Sequence, residues 1–158
     1  MNTPQPPCPA NEYHQAHVVL LLESFQRLLG RPLLPNLNAA CLGQEVFFAD
    51  FALLSHDTQS DPIFNYANKT ALELFELSWP ELIVMPSSLS AEPGKQEERE
   101  RSLAQVTYDG YIDNYSGVRV SKNGRRFLIQ RAVVWNVVDR QGRYHGQAAT
   151  FKDWEQLS

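Results

Sequence analysis

The sequence predicts one α+β domain, with an antiparallel sheet of about five strands, helices on one face of that sheet, and an amphipathic N-terminal helix before it. Two short strands and several helices come first, and the last third of the chain has consecutive strand patterns around an Asn-Gly turn. Segregation of strands and helices in this way is typical of the α+β class. With 158 residues, 43% of them apolar and 20% charged, the chain can bury a core of ordinary size.

The N-terminal part divides into a tail, a helix and a connector. Residues 1–10 contain four prolines and are predicted to be a disordered tail. Residues 11–44 are predicted to hold a helix, capped by Asn11 and ending near Leu29, and then a connector. The apolar residues of this helix form one stripe, which consists of Val18, Leu21, Leu22, Phe25, Leu28 and Leu29. The stripe must cover either the sheet of its own chain or the same helix of a second copy.

Residues 45–152 are predicted to be the main domain, followed by a C-terminal tail over 153–158. In order, the predicted elements are a helical turn near 45–49, strands over 51–55 and 63–67, a helix over 69–77, a short helix ending at Pro86, a loop over 87–95, a helix over 96–108, and strands over 115–121, 126–138 and 144–151. Asn68 and Ser78 stand where each can cap a helix. Asn123-Gly124 predicts a tight hairpin turn, because both central residues of that turn need positive φ.

One segment resembles a known signature. Residues 63–75 read Ile-Phe-Asn-Tyr-Ala-Asn-Lys-Thr-Ala-Leu-Glu-Leu-Phe and resemble PAS domains, in which an aromatic strand runs through an Asn into a helix carrying Ala and Leu-Phe. The wider stretch from about Leu20 to Trp154 resembles the MEKHLA domain family. The matching pieces lie at 53–56, 61–66, 71–76, 115–117, 134–136 and 146–149.

The resemblance implies a PAS-like fold and a non-enzymatic sensory or regulatory module that binds a small ligand, mediates dimerisation, or does both. The MEKHLA family occurs as small stand-alone bacterial proteins and as the C-terminal domain of plant class III homeodomain-leucine zipper factors. A bacterial protein is expected here. The resemblance supplies no ligand, so the cofactor is unknown. The alternative is a protein-interaction module without any ligand.

PAS domains hold ligands between the sheet and the helices packed on it. The pocket residues that this implies are Phe64, Tyr66, Leu72, Phe75, Ile112, Arg131 and Trp135. The long strand offers two alternating faces, one with Phe127, Ile129, Arg131, Val133, Trp135 and Val137, the other with Leu128, Gln130, Ala132, Val134, Asn136 and Val138. Both faces mix apolar and polar residues. The sequence therefore leaves open which face lines the cleft, and whether the cleft is only a filled core.

Known PAS cofactors find little support in the residues. A photochemical flavin domain needs a cysteine on the helices after the first strands, but Cys8 and Cys41 both precede the predicted sheet. A haem sensor needs an axial histidine, usually from the long helix, and residues 96–110 hold none.

Catalysis is not expected either. Ser55-His56-Asp57 looks like a triad, but neighbouring strand residues point to opposite faces and cannot form a relay. A small enzyme using the same cleft would need scattered groups such as His56, Asp113 and Arg131 to meet there.

Composition limits the expected partners. The net charge is −4 and no long Lys/Arg cluster occurs, so nucleic acid is not expected as a partner. No apolar run approaches the roughly 20 residues of a membrane span, and the N-terminus lacks a basic n-region. We expect a cytoplasmic protein with reduced thiols that forms a homodimer through the N-terminal helix and binds a small molecule.

Overall fold

Alternating strand residues and capped helices build one sheet with helices on both sides. The computed structural model describes residues 4–34, 39–92, 94 and 96–157. The strands are β1 (Ala52–His56), β2 (Phe64–Ala67), β3 (Tyr111–Val120), β4 (Arg126–Val138), β5 (Tyr144–Phe151) and β6 (Asp153–Gln156). The helices are α1 (Gln15–Leu29), α2 (Leu42–Phe47), α3 (Lys69–Phe75), α4 (Trp79–Leu82) and α5 (Gln96–Asp109), with 3-10 turns at Pro9–His14, Ala39–Cys41 and Ser87–Ser90. This architecture confirms the predicted α+β class.

The sheet is antiparallel, with the order β2-β1-β5-β4-β3. Strand β6 pairs with the first half of β4, from Phe127 to Gln130, whereas β5 pairs with the second half. Residues 153–158 were predicted to be a tail, but 153–156 form this strand. Because β5 leaves the first half of β4 unpaired, the chain after Phe151 supplies the missing hydrogen bonds.

Helix α1 covers the sheet of its own chain. Val18, Leu21 and Phe25 are each 0% exposed. The Phe25 ring meets the Trp135 ring edge to face, with 5.0 Å between centroids, and the Trp135 indole N–H donates to the Leu21 carbonyl oxygen at 3.1 Å. The apolar stripe of the helix is therefore used within the chain, as the first of the two alternatives predicted.

The start of α1 differs from the prediction. Glu12, Tyr13 and His14 have φ between +54° and +58°, so an α-helix cannot begin at Asn11, and α1 starts at Gln15. The Asn11 side chain instead accepts from the Cys8 backbone N–H at 3.0 Å.

The described part of the predicted disordered tail packs on the domain. The Trp79 indole N–H donates to the Pro4 carbonyl oxygen at 3.0 Å, and Pro7 is buried. Residues 1–3 of that tail, residues 35–38 of the connector, and Pro93 and Lys95 of the predicted loop lie outside the described residues.

The two caps form as predicted. The Asn68 side-chain oxygen accepts from the Ala71 N–H at 3.1 Å, and Ser78 forms a capping box with Glu81. Asn68 is 0% exposed and also accepts from the Leu53 N–H, while its amide donates to the carbonyl oxygens of Val46 and Phe51. Both lone pairs and both N–H groups of the Asn68 side-chain amide are thus used to hold α3 against β1 and α2.

No helix in the described ranges combines the length and the apolarity that crossing a membrane requires.

Candidate ligand site

A small cavity lies on the sheet face opposite α1, under α3, the 3-10 turn at Ser87–Ser90, and α5. Its volume is about 60 Å³. It is lined by Leu54, Ser55, His56, Phe64, Phe75, Ser90, Arg99, Leu103, Tyr115, Arg119, Ile129, Val134, Gln147, Ala148, Ala149 and Phe151. Most of the lining is apolar, and the polar groups come from β1, β3, β5 and α5. This combination is characteristic of small-molecule sites.

A β-bulge in β2 separates two predicted pocket residues. Ser55 pairs with Tyr66 and His56 pairs with Phe64, so Asn65 is an extra residue on β2. Phe64 faces the cavity, whereas Tyr66 faces α1, where its ring lies 5.7 Å from the His17 ring between centroids. An uninterrupted strand would have placed Phe64 and Tyr66 on one face.

A second irregularity changes the faces of β4. Arg131 has φ +53° and stands between the part of β4 paired to β6 and the part paired to β5. Ile129 before it and Val134 after it both line the cavity, although their spacing is odd. Each of the two alternating faces considered from the sequence is therefore only half right. Before Arg131 the cleft is lined by Ile129, which belongs to the set with Phe127. After Arg131 it is lined by Val134, which belongs to the set with Leu128.

The predicted pocket residues consequently separate. Phe64 and Phe75 line the cavity. Trp135 is 0% exposed but lies under α1 on the other face. Arg131 is exposed and forms an ion pair with Asp153 at 3.0 Å, outside the cavity.

The other two predicted residues lie near the cleft without lining it. Leu72 packs against the core from α3, half-buried, and Ile112 pairs with Val134 from β3.

His56 provides the unpaired polar atom of the cavity. Its side chain is 8% exposed, and its Nδ1 lies 3.0 Å from the Asp57 carbonyl oxygen. Burial is the main reason that the pKa of His56 lies below its ordinary value, and the charge of Arg99 lowers it further. In the neutral ring, Nδ1 carries the proton and donates to Asp57, which leaves Nε2 as an acceptor. Nε2 is buried and makes no hydrogen bond of normal geometry among the described residues, although the Gln147 side chain lies near enough to raise the pKa of His56 in opposition to burial.

Arg99 brings a buried positive charge to the same cavity. It is 8% exposed, and its guanidinium donates to the Ser87 hydroxyl at 2.7 Å. Among the described residues no carboxylate forms an ion pair with it. Burial, and then the charge of Arg119, lower the pKa of Arg99 to about 10.

Arg99, Tyr115 and Arg119 separate this cavity from an outer pocket. The outer pocket has a volume of about 310 Å³ between α5 and β3, and all three side chains line both spaces. The Arg119 guanidinium donates to the Tyr115 hydroxyl at 3.2 Å and lies 5.5 Å from the centre of its ring. Rotation of these side chains would join the two spaces into a site in the range of roughly 300–1,000 Å³ that small ligands use.

Two amides anchor the C-terminal half of α5 to the sheet beside the cavity. The Gln147 amide donates to the Leu103 carbonyl oxygen at 3.0 Å and lies 3.2 Å from the Asn136 amide oxygen. The Asn136 amide donates to the Val106 carbonyl oxygen at 3.1 Å. The nitrogen atoms of both amides therefore have acceptors within the protein.

The groups considered for catalysis do not meet. His56 faces the cavity, while Ser55 lies against α1, where its hydroxyl is 2.9 Å from His17 Nε2 and donates to the Asn65 side-chain oxygen. Asp113 contacts Arg31, and Arg131 contacts Asp153, so neither reaches His56. The His17–Ser55 pair, which the sequence analysis missed because its members are 38 residues apart, connects α1 to the sheet.

Comparison with known proteins identifies the family. The model of the MEKHLA domain matches residues 15–156. The chain belongs to the MEKHLA domain family. The match takes in α1 and β6 as well as the sheet and helices between them.

Curated relatives of this MEKHLA chain are plant proteins. Homeobox-leucine zipper protein ATHB-9 of Arabidopsis thaliana is 28% identical over 101 residues, 61% of this chain and 12% of that protein. Homeobox-leucine zipper protein HOX10 of Oryza sativa subsp. indica is 30% identical over 104 residues, 65% of this chain and 12% of that protein. The chain thus spans about an eighth of their length. These plant relatives overturn the expectation of a bacterial protein.

Solved structures show the PAS-type fold of this MEKHLA domain. The PAS domain of a protein from Colwellia psychrerythraea has a TM-score of 0.60 and 16% identity, over 72% of this chain and 92% of that one. A variant of the fungal photoreceptor VVD has a TM-score of 0.56 and 18% identity, over 89% of this chain and 93% of that one. At such identities the likeness shows the fold alone.

Some structures of this fold belong to flavin photoreceptors, and this cavity does not suit a flavin. A volume of about 60 Å³ is far below the roughly 300 Å³ at which small-molecule sites begin. Cys8 and Cys41 are free thiols that lie away from the cavity, before β1. Helix α5, which the haem prediction concerns, contributes Arg99 and Leu103 to the lining of the cavity.

Proposed function

We propose that this MEKHLA domain is a non-enzymatic sensory or regulatory module that binds a small ligand in the cavity under α3 and α5. The observation that carries the proposal is His56 Nε2, a buried acceptor that makes no hydrogen bond of normal geometry among the described residues and borders a mostly apolar cavity. An unsatisfied buried polar group costs about 1–3 kcal/mol, and a ligand that donates a hydrogen bond would recover that cost. Phe64 and Phe75 are the predicted pocket residues that we keep in the site.

A module that acts only through protein contacts is the second candidate. The small volume of the cavity favours it, as do the exposed apolar side chains of Val84, Leu89 and Tyr108, which are 69%, 57% and 92% exposed. The two candidates differ in whether the cavity is ever occupied.

We do not extend the proposal to a dimer through α1, because Val18, Leu21 and Phe25 are 0% exposed within a single chain. A dimer would need another surface, and light scattering of the purified chain tests this directly. We further propose that residues 15–156 fold as one unit, which the family match and the packing of α1 on β4 support.

We retain two proposals on partners and location. The net charge of −4 supports a domain that does not itself contact nucleic acid, although its relatives carry the homeobox name. The free thiols of Cys8 and Cys41 support a reducing, cytoplasmic location.

The test compares the chain with a variant whose cavity is filled. Ala149 lines the cavity, so Ala149→Leu should occupy it, while Ala104→Leu makes the same change on the exposed side of α5. ¹⁵N-labelled protein is titrated with a mixture of small carboxylates, amides and alcohols. We expect amide shifts around His56 in the wild type and in Ala104→Leu, and none in Ala149→Leu. Equal responses in all three proteins, or none in the wild type, would support the interaction module instead.

A further inference from the structure

We propose that the ligand of this cavity is a small 2-hydroxycarboxylate, with its carboxylate on Arg99 and its hydroxyl on His56. The inference rests on the proposed function and names the chemical class of ligand. It follows from two buried side chains that both line the same cavity and that the protein leaves incompletely satisfied.

Arg99 selects an anion. A guanidinium that is 92% buried, with one hydroxyl from Ser87 as its described hydrogen-bond acceptor, has donors left to offer. A planar carboxylate matches the paired N–H groups of a guanidinium. The neighbouring charge of Arg119 adds to the positive potential, and the described acceptors of its guanidinium are the Tyr115 hydroxyl and the Val118 carbonyl oxygen, neither of which is charged.

The remaining lining excludes a highly charged anion. Phe64, Phe75, Ile129, Val134 and Phe151 make most of the remaining surface apolar. A dianion such as phosphate would lose its hydration there without enough donors to replace it. A monoanion with a short carbon skeleton suits both ends of the cavity.

His56 selects a hydroxyl beside that carboxylate. Because Nδ1 donates to the Asp57 carbonyl oxygen, Nε2 of the neutral ring is an acceptor and needs a donor from the ligand. A carboxylate oxygen cannot donate. An ammonium group could donate, but the cavity is lined by two arginines and no carboxylate, so a further positive charge there is disfavoured. A hydroxyl is the neutral donor that remains.

The size of the cavity selects the smallest members of this class. A volume of about 60 Å³ is small for a ligand site and leaves room for few atoms. Glycolate is the smallest 2-hydroxycarboxylate. Larger members would need Arg99, Tyr115 and Arg119 to turn toward the outer pocket.

The experiment uses three probes that differ by one group. Glycolate has both groups, acetate lacks the hydroxyl, and glycolamide lacks the charge. Each is titrated into ¹⁵N-labelled chain at constant ionic strength, and dissociation constants are taken from amide shifts. We expect glycolate to bind about threefold to tenfold more tightly than acetate, and at least about tenfold more tightly than glycolamide.

Two variants assign these differences to residues. In Arg99→Met the preference for glycolate over glycolamide should disappear, and in His56→Leu the preference for glycolate over acetate should disappear. Arg140→Met removes an arginine that is 75% exposed on a distant turn and should leave all three constants unchanged. If Arg99→Met does not fold, Arg99→Lys, which keeps the charge, should retain part of the preference for the anion.

The results separate this proposal from the one on which it rests. Equal binding of glycolate and glycolamide by the wild type would overturn the assignment of an anion and leave a ligand-binding cavity in place. Equal binding of glycolate and acetate would overturn the role of His56. Absence of binding for all three probes, with no response of the wild type to the wider mixture above, would overturn both proposals.

Discussion

Replacing Arg99 with methionine should stabilise the unliganded domain. Most substitutions of buried residues destabilise a protein, so the expected sign is unusual. Arg99 is 8% exposed, and burial lowers its pKa to about 10. At about 1.36 kcal/mol for each tenfold change in the protonation equilibrium, keeping the charge inside costs roughly 3 kcal/mol. Methionine has a similar length and no charge to desolvate.

The net gain is smaller than that cost. Arg99→Met leaves the Ser87 hydroxyl without its partner, which costs about 1 kcal/mol or more. The expected increase in the free energy of unfolding is therefore about 1–2 kcal/mol, or roughly 2–8 °C in Tm for a chain of this length. Urea unfolding at pH 7 measures the first quantity and calorimetry the second.

The control is Arg140→Met, an exposed arginine whose ion pair with Glu23 should contribute about 1 kcal/mol or less. A loss of more than about 1 kcal/mol in Arg99→Met, with Arg140→Met unchanged, would show that the Arg99 guanidinium is structural. In that case the argument that it awaits an anion fails.

Three further predictions concern the frame of the site. Burial lowers the pKa of His17 to about 4, below its unfolded value near 6.5, so its contribution to stability is complete above about pH 6.5 and falls as the pH drops toward 4. In His17→Gln, the difference between the urea midpoints at pH 7 and pH 4.5 should be smaller than in the wild type. The pKa of His56 is lowered in the same direction and accounts for the difference that remains. Gly146→Ala should lower the free energy of unfolding by more than about 2 kcal/mol, because φ is +116° and the new Cβ would overlap the His56 carbonyl oxygen. Gly142→Ala is the control: its φ is also positive but the space around it is open, so the same urea assay should show a loss of about 1 kcal/mol. Asn68→Ala should cost about 3 kcal/mol in thermal unfolding, and the exposed cap variant Ser78→Ala about 1 kcal/mol; equal losses would contradict the central role of Asn68.

Local chemistry in the sequence was enough to predict much of the fold. Asn68 and Ser78 cap their helices because a side-chain oxygen three residues before an N–H needs no tertiary context. A hairpin turn forms at Asn123-Gly124 as predicted, but only Gly124 has positive φ, at +88°, and Asn123 does not share it. The stripe on α1 was also visible, although only the structure shows that Trp135 of the same chain meets it.

The faces of the strands could not be predicted, because bulges do not have a reliable sequence signature. Asn65 and Arg131 each occupy an extra position, and Arg131 does so at φ +53°, where its residue type gives no warning. Each bulge reverses every assignment beyond it. Tyr66 and Trp135 were therefore placed in the cleft, while Ile129 and Val134 were put on opposite faces.

The groups that line the cavity were missed for a different reason. Arg99 lies in a highly charged stretch, Gln96-Glu97-Glu98-Arg99-Glu100-Arg101, whose composition indicates a solvated helix surface. Its burial depends on α5 lying against the Ser87–Ser90 turn. One signal was present in the sequence. Arg99 is four residues before Leu103, so the two side chains share one face of α5, and both line the cavity.

Two buried polar atoms lack hydrogen-bond partners in the described chain, and their surroundings distinguish them. The Tyr66 hydroxyl lies on the α1 side among the rings of His14, His17 and Trp79, and Tyr66 lines none of the cavities described here. His56 Nε2 borders a cavity that also contains a buried arginine. An unmet hydrogen bond without space is a cost of packing that a ligand cannot relieve. An unmet hydrogen bond beside space and an unpaired charge can be relieved by a molecule that carries the complementary groups, and for this reason we place the function of the domain on the α5 side of the sheet.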